Sequence, residues 1–125
     1  MFMIANIKIG ITGLPGAGKT FALRAVLDML KEENVVIGGM INEPVDDGRH
    51  RTGFTVRDLL TGEIEQFASV DYESKITVGR IGVDIGKFEP VAVAAIKNAC
   101  ESADIIVIDE VGKMEVESEA FVKAV

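Results

Sequence analysis

The sequence predicts an α/β fold in which helices flank a mostly parallel sheet, with an antiparallel ribbon inserted at about residues 44–83. An apolar run leads into a glycine-rich loop and a helical pattern, and a second apolar run follows directly. A strand, a crossover helix and a strand at this spacing form a unit with parallel strands. Near the end of the chain, another apolar run stops at two carboxylates. With 125 residues, of which 48% are hydrophobic, the chain can bury the core of a single domain.

The first third of the chain carries the predicted parallel unit. Residues 6–12 form a short β-branched run that predicts a buried strand, and residues 35–41 predict a second one. Between them, residues 20–32 have the periodicity of a helix. Its apolar residues share one face and are Leu23, Val26, Leu27 and Leu30. We therefore expect this helix to pack against a sheet.

The middle of the chain alternates apolar with polar residues, which is typical of half-buried antiparallel strands. The alternating segments are residues 52–59 and 63–68, and Gly48 and Gly62 mark turns beside them. A third extended segment, residues 76–83, is interrupted by glycines. These segments predict the antiparallel ribbon.

The last third of the chain returns to longer apolar patterns. Pro90 is expected at the first position of a helix that ends near Ser102, with Cys100 buried on its apolar face. Residues 105–110 predict a fully buried strand that ends in two carboxylates. Ser118 is the expected N-cap of a final helix.

Charge and cysteine content limit the function classes. The formal net charge of −7, without a cluster of Lys and Arg, argues against a nucleic-acid partner. The apolar stretches are shorter than the roughly 18 residues of a membrane span, and the N-terminus lacks the features of a signal peptide. The single cysteine is compatible with a reducing compartment. We therefore expect a cytoplasmic protein without a membrane partner.

The glycine-rich loop has the pattern G-x-x-x-x-G-K-T of a phosphate-binding loop. It consists of Gly13, Leu14, Pro15, Gly16, Ala17, Gly18, Lys19 and Thr20. Its glycines let successive backbone N–H groups and the next helix N-terminus converge on phosphate oxygens. Lys19 is expected to reach the β- and γ-phosphates, and the Thr20 hydroxyl to bind Mg²⁺.

The two carboxylates after the last predicted strand supply the second half of a nucleoside-triphosphate site. Asp109, at the carboxyl end of the strand, is expected to bind Mg²⁺ directly or through water. Glu110 is expected to orient and deprotonate a water aimed at the γ-phosphorus. This pair favours a hydrolase over a protein that only binds nucleotide.

Phosphoryl transfer also requires positive charge at the transition state. The candidate cations are Arg49, Arg51, Arg80 and Lys113. For each one taken alone, a solvated surface position is the more common fate of such a residue.

Together these residues resemble a known family. The loop Gly13–Thr20, combined with the run Asp109-Glu110-Val111-Gly112-Lys113-Met114-Glu115, is similar to the motifs of the cancer-related nucleoside-triphosphatase family. Two further segments, Arg51-x-Gly53-Phe54 and Val78-Gly79-x-x-x-Val83-Asp84, stand where that family has such segments. The resemblance covers essentially the whole chain.

The resemblance implies a P-loop NTPase with a RecA-like or kinase-like core. The implied activity is Mg²⁺-dependent hydrolysis of ATP, GTP and other nucleoside triphosphates to the diphosphate and phosphate. Lys19 matches the family's phosphate position, Thr20 and Asp109 its metal positions, and Glu110 its water-activating position. Lys113 matches a motif position to which we assign charge stabilisation near the γ-phosphate. Arg51 is carried over more weakly, as a phosphate-facing cation.

The end of the chain departs from the family pattern. Family members continue past the point that corresponds to Val125 with another strand, which we place between the strands at 7–12 and 105–109. The chain also stops without helix stop signals. The expected organisation is a single P-loop nucleoside-triphosphatase domain at residues 1–125 that lacks its C-terminal strand or strands.

Two other functions stay open at this point. A small-molecule kinase would use the same loop, although the sequence contains no arginine-rich lid and no identifiable acceptor pocket. A nucleotide-dependent binding module with little hydrolysis would use the ribbon as its partner surface. The sequence specifies neither a base preference nor an oligomeric state nor a protein partner.

Overall fold

The structure is a computed structural model that describes residues 9–14 and 16–125. Backbone contacts divide the chain into two compact units, Met1–Asn34 and Val35–Val125. In the first unit, the described residues form one helix, α1 (Lys19–Lys31). The elements of the second unit are β1 (Ile37–Asp46), β2 (Arg51–Asp58), β3 (Ile64–Ser69), β4 (Thr77–Val78), β5 (Ile81–Val83), α2 (Ile85–Ser102), β6 (Ile105–Asp109), a short 3₁₀ helix (Glu115–Glu117) and α3 (Glu119–Ala124).

The six strands form one sheet in the order β4-β5-β3-β2-β1-β6. β1 pairs in parallel with β6, and the other neighbouring strands pair antiparallel. The predicted α/β class with an antiparallel insertion is confirmed. In the described residues, four strand pairings are antiparallel and one, between β1 and β6, is parallel. Beyond its parallel pairing with β6, β1 continues into the antiparallel ribbon.

The predicted N-terminal strand and helix have different outcomes. The helix expected at 20–32 is confirmed as α1. Of the strand expected at 6–12, residues 6–8 lie outside the described residues, and residues 9–12 have neither helical nor strand structure. A strand requires ladder hydrogen bonds with a neighbour, so a β-branched apolar run is not sufficient to form one.

The antiparallel segments are confirmed with small shifts. The segments expected at 52–59 and 63–68 are β2 and β3, and they pair with Val56 opposite Glu65. The third segment is two short strands, β4 and β5, which form a hairpin. Gly79 supplies its turn at a φ of +59°, a conformation that glycine adopts without steric cost.

The start of α2 differs from the expectation. The helix begins at Ile85, so Pro90 lies inside it and not at its first position. The backbone N–H groups of Lys87 and Phe88 donate to the Asp84 carbonyl and close the first turn. Burial of Phe88, which is fully inaccessible, favours this early turn and offsets the hydrogen bond that proline cannot make.

The buried face of α2 also differs from the expected one. Half of its buried residues are alanines, and the full set is Phe88, Val91, Ala92, Ala95, Ile96 and Ala99. Cys100 is exposed, and the expectation of a buried thiol was wrong. The alanines let the helix lie close to the sheet. The prediction of the apolar face from the sequence did not include them.

The core of the second unit is aromatic at its centre. The rings of Phe67 on β3 and Phe88 on α2 are 4.9 Å apart, and those of Phe88 and Phe121 on α3 are 5.2 Å apart. All three side chains are fully buried. Aromatic pairs at such distances stabilise a fold beyond the area they bury. This contact chain fixes both helices against the sheet.

The strand β6 is less buried than expected. It ends at Asp109, and Ile106 is 42% exposed, so the expectation of a fully buried strand at 105–110 was wrong. Within the described residues, β6 is the last strand in the sheet order, next to β1. Among the helices of the described part, none is long and apolar enough to cross a membrane.

Candidate active site

The glycine-rich loop has the backbone geometry of an anion-binding turn. Gly16 and Gly18 have φ values of +79° and +88°, which residues with a Cβ atom rarely adopt. The Ala17 N–H donates to the Leu14 carbonyl at 3.0 Å and closes the turn. Pro15 lies outside the described residues. The turn leads directly into α1, whose first backbone N–H groups have no partner within the helix.

Lys19 is held close to this loop. Its Nζ donates to the Gly13 carbonyl oxygen at 2.7 Å, and the side chain thereby folds back over the turn. The next residue, Thr20, is exposed in the first turn of α1. An ammonium group, a left-handed turn and a helix N-terminus within a few residues together favour a bound phosphate.

Asp109 and Glu110 lie at the carboxyl end of β6. Asp109 is the register partner of Ile41 on β1, and this parallel pairing fixes its position in the sheet. The peptide bond between Asp109 and Glu110 is cis. Asp109 is half-buried, whereas Glu110 is exposed just past the strand and is therefore accessible to water.

Besides Asp109 and Glu110, this region contains a third carboxylate, Glu115, which is buried next to the loop that follows β6. It is 1% exposed, and its Oε1 accepts a hydrogen bond from Asn42 Nδ2 at 2.5 Å. Its Oε2 accepts a hydrogen bond from the Gly112 backbone N–H at 3.0 Å. Burial raises the pKa of the Glu115 carboxyl above its usual range, and the negative charge of Glu110 acts in the same direction. The hydrogen bonds from Asn42 and Gly112 act in the opposite direction.

The sequence did not single out Glu115 or Asn42 as individual residues. Glu115 belongs to the motif that carried the resemblance, but no role was assigned to it. Asn42 is a lone amide within a strand, and its contact with Glu115 spans 73 residues. In the sequence, the only signal for a buried Glu115 is that this acidic residue is followed by valine and lies close to other apolar residues.

Arg49 lies at the tip of the β1–β2 hairpin, between β1 and β2. The backbone N–H groups of His50 and Arg49 donate to Asp47 Oδ1 and hold the pKa of that carboxyl below its usual value. The positive charge of Arg80 contributes in the same direction. Both arginines are exposed.

Arg51 has partners on the same hairpin. Its Nε lies 3.3 Å from Asp46 Oδ1, and its guanidinium carbon lies 5.6 Å from the centre of the Phe54 ring. Arg51 opposes Asp46, five residues past Ile41, the partner of Asp109. At about 3.3 Å per strand residue, Arg51 lies roughly 16 Å further along the sheet than Asp109. The structure therefore does not bring these two residues together.

Lys113 lies exposed in the loop between Glu110 and Glu115. Of the predicted residues in the second unit, it is therefore the cation nearest in the chain to the carboxylates. No group of three or more His, Cys, Asp or Glu residues suited to a metal occurs in the described parts of the chain. Mg²⁺ commonly takes only one or two protein ligands and completes its shell with water and phosphate.

Comparisons with known proteins show the family to which this chain is related. A family model described as NTPase matches residues 8–125. The nucleoside-triphosphatase THEP1 of Pyrococcus abyssi is 43% identical over 118 residues, which cover 94% of this chain and 65% of that protein. THEP1 of Methanocaldococcus jannaschii is 42% identical over 119 residues, which cover 95% of this chain and 69% of the relative.

Solved structures show the same relationship. The solution structure of a human cancer-related nucleoside triphosphatase matches with a TM-score of 0.73 at 36% identity, covering 90% of this chain and 64% of the human chain. The crystal structure of THEP1 from Aquifex aeolicus matches with a TM-score of 0.71 at 32% identity, covering 88% of this chain and 62% of that one.

The chain spans less than two thirds of the length of the Pyrococcus abyssi protein and of both solved structures. Within that span, the family match and the structural matches cover most of its residues. The family resemblance of the sequence is thereby confirmed, and the chain belongs to the NTPase family, whose solved nucleoside-triphosphatase structures share its α/β fold.

Proposed function

We propose that this chain hydrolyses nucleoside triphosphates to the diphosphate and phosphate in a Mg²⁺-dependent reaction with broad base tolerance. The observation that carries the proposal is the phosphate loop, in which Lys19 folds over a turn with two left-handed glycines. Family membership supports it, since the relatives are named nucleoside-triphosphatases.

The phosphate loop binds the triphosphate in this proposal. The backbone N–H groups of Gly13–Thr20 donate to phosphate oxygens, and the N-terminus of α1 favours their negative charge. Lys19 exchanges its bond with the Gly13 carbonyl for the β- and γ-phosphates. Because the ammonium group is already folded over the loop, little side-chain freedom is lost on binding.

Thr20 and Asp109 are the proposed Mg²⁺ ligands. Hydroxyl and carboxylate oxygens are the hard donors that this ion prefers, so the donor set fits. When bound, the ion neutralises charge on the phosphate oxygens.

Glu110 is the proposed general base. Its carboxylate accepts a proton from water while the water oxygen bonds to the γ-phosphorus and the bond to the β-phosphate oxygen breaks. The exposure of Glu110 in the structure supports this role, since the carboxylate is accessible to a water molecule.

Two cations are proposed to stabilise the transition state. Lys113 lies in the same loop as Glu110, and its exposure leaves it able to reach a phosphate oxygen. Arg51 is the weaker candidate, because it would have to leave Asp46 and the Phe54 ring and because it lies roughly 16 Å further along the sheet than Asp109. Broad base tolerance is proposed because the family resemblance implies hydrolysis of ATP, GTP and other nucleoside triphosphates. A cytoplasmic location is proposed because nucleoside triphosphates are abundant there and the single cysteine requires no oxidising compartment.

Two substitutions test the proposal. In Lys19→Ala, nucleotide affinity is expected to fall below detection, because the charge that contacts the phosphates is lost. In Glu110→Gln, we expect unchanged affinity and a loss of turnover of at least about 100-fold, the usual size of a general-base contribution. Binding is measured by calorimetry, and turnover by phosphate release from ATP, GTP, CTP and UTP, with and without a Mg²⁺ chelator.

Matched controls separate these effects from general damage. Lys31→Ala removes an exposed lysine at the end of α1, and Glu117→Gln neutralises an exposed carboxylate in the 3₁₀ helix that follows the Glu110 loop. Both variants should bind and hydrolyse like the unmodified chain. Full turnover in Glu110→Gln would rule out the general-base role, and nucleotide bound without phosphate release by the unmodified chain would rule out the hydrolase.

A further inference from the structure

A buried carboxylate connects the sheet to the loop that carries the proposed general base. Glu115 is 1% exposed and accepts hydrogen bonds from Asn42 on β1 and from the Gly112 backbone. Asn42 follows Ile41, the register partner of Asp109. The contact therefore anchors the loop one residue beyond the level at which Asp109 leaves the sheet.

Burial of the Glu115 carboxylate costs hydration free energy, which its hydrogen-bond donors must offset. An ionised carboxylate taken out of water loses several kcal/mol of hydration unless donors replace the water. The two donors of Glu115 come from a rigid strand and from the loop itself. Replacing only the glutamate would leave the Gly112 N–H and the Asn42 amide without this acceptor.

Gly112 lies between the two carboxylates of this region. A Cβ on Gly112 would lie 3.0 Å from Glu115 Oε2, 3.2 Å from Glu110 Cδ and 3.4 Å from Glu110 Oε2. Both acidic side chains therefore border the space that a side chain at position 112 would occupy. A shift of Gly112 would change the space available to the Glu110 carboxylate, and the hydrogen bond from the Gly112 N–H to Glu115 restrains such a shift.

We propose that Glu115 is a positioning residue, which places the Glu110 carboxylate through its hydrogen bonds with Asn42 and the Gly112 N–H. The inference rests on the proposed hydrolysis and deepens it. Glu115 contacts neither water nor nucleotide in this role. Its contribution is to keep the base at the correct place, and a displacement of about 1 Å can reduce a reaction rate about 100-fold.

Glutamine is the substitution that separates position from charge. In Glu115→Gln, the amide oxygen still accepts from the Gly112 N–H, and the amide NH₂ can donate to Asn42 Oδ1 after a half-turn of the Asn42 amide. That oxygen is buried and has no hydrogen-bond partner in the described part of the chain. Glu115→Gln should therefore keep kcat within about 3-fold of the unmodified chain. Glu115→Ala should lower kcat about 10- to 100-fold with KM and nucleotide affinity within about 3-fold.

A second variant covers the case in which Glu115→Ala does not fold. Gly112→Ala keeps both carboxylates, but its Cβ pushes against them at 3.0–3.4 Å. It should also lower kcat without changing nucleotide affinity. The matched control is Glu117→Ala, an exposed glutamate of the same 3₁₀ helix, which should leave kcat unchanged.

Two further measurements distinguish this proposal from the proposed hydrolysis. Glu115→Ala made in the Glu110→Gln background should cause little additional loss, because there is no base left to position. Hydrogen exchange of the Gly112 amide, which needs no activity, should be slow in the unmodified chain and in Glu115→Gln and fast in Glu115→Ala.

The outcomes are separable. If Glu110→Gln loses turnover and both Glu115→Ala and Gly112→Ala retain it, the positioning role is overturned while hydrolysis stands. A loss in Glu115→Gln as large as in Glu115→Ala overturns it as well, because the charge itself would then be required. If the unmodified chain binds nucleotide and releases no phosphate, both proposals fall.

Discussion

At the scale of single residues, Ser118 starts the last helix. Its Oγ accepts a hydrogen bond from the Phe121 backbone N–H at 3.1 Å, and both residues are buried. The first N–H groups of a helix have no partner within it, so a serine at this position satisfies one of them. The cap also fixes the entry of α3, from which the Phe121 ring reaches the core.

The Ser118→Ala substitution is expected to destabilise the second unit by about 1–2 kcal/mol, because a buried N–H group loses its acceptor. The measurement is the free energy of unfolding in urea. Ser102→Ala at the exposed end of α2 is the matched control and should change stability by less than about 0.5 kcal/mol. Equal losses in the two variants would contradict the capping role.

Ser118 and Glu115 also differ in how far the sequence could predict them. The cap is local, since donor and acceptor are three residues apart. The bond between Asn42 and Glu115 spans 73 residues and depends on the parallel register of β1 and β6. No local pattern contains that register, so the buried carboxylate was visible only as part of a motif.

At the scale of elements, β1 is the strand on which the candidate site depends. It pairs with β2 on one side and with β6 on the other. Gly39 makes the second pairing feasible, since its φ is +113° and an added Cβ would lie 1.9 Å from the Val107 carbonyl oxygen. A side chain at this position would push β6, with Asp109 at its end, away from β1.

The Gly39→Ala substitution is therefore expected to destabilise the fold by about 2–5 kcal/mol, because backbone strain of about 1–2 kcal/mol is combined with overpacking of about 1–3 kcal/mol. Gly62→Ala is the informative control: its φ is +78°, but a Cβ there would meet nothing within 4 Å. It should show the strain alone. The free energies of unfolding of both variants test this, and similar losses would contradict the close approach of β1 to β6.

Elements that are specified by neighbouring residues were predicted more accurately than elements that depend on contacts with distant residues. The helix α1 and the strands β2 and β3 were predicted within about two residues, because periodicity and turns specify them. The start of α2 was wrong, since burial of Phe88 outweighs the preference of Pro90 for a first turn. The burial of β6 was overestimated because an apolar strand composition does not specify which neighbours a strand has.

At the scale of the whole molecule, family motifs identified more than physical patterns did. Within residues 35–125, the α/β class and the ribbon followed from the sequence, whereas the strand order depends on tertiary contacts between distant residues. The candidate site divides in the same way. Lys19 and Glu110 are recognisable from short motifs, while the positions of Arg51 and Arg80 depend on how the hairpins lie.

The parallel pairing of β1 with β6 has a consequence for the order of folding. The backbone N–H of Val36 donates to Asp104 across 68 residues, whereas Asp46 and Arg51, at the turn of the β1–β2 hairpin, are five residues apart. Closing a long loop costs more chain entropy than closing a hairpin, so the hairpin should form first and β6 should dock afterwards.

Valine-to-alanine substitutions in the two strands test that order, since Val56 on β2 and Val107 on β6 are both buried. Val56→Ala should mainly slow refolding and Val107→Ala mainly speed unfolding, with φ-values of about 0.5–0.8 and about 0–0.3 in stopped-flow experiments. A φ-value for Val107 as high as that for Val56 would contradict it. On this folding order, the carboxylate at the end of β6 reaches its place after the ribbon has formed, and a nascent chain gains its proposed general base in position only once β6 has docked.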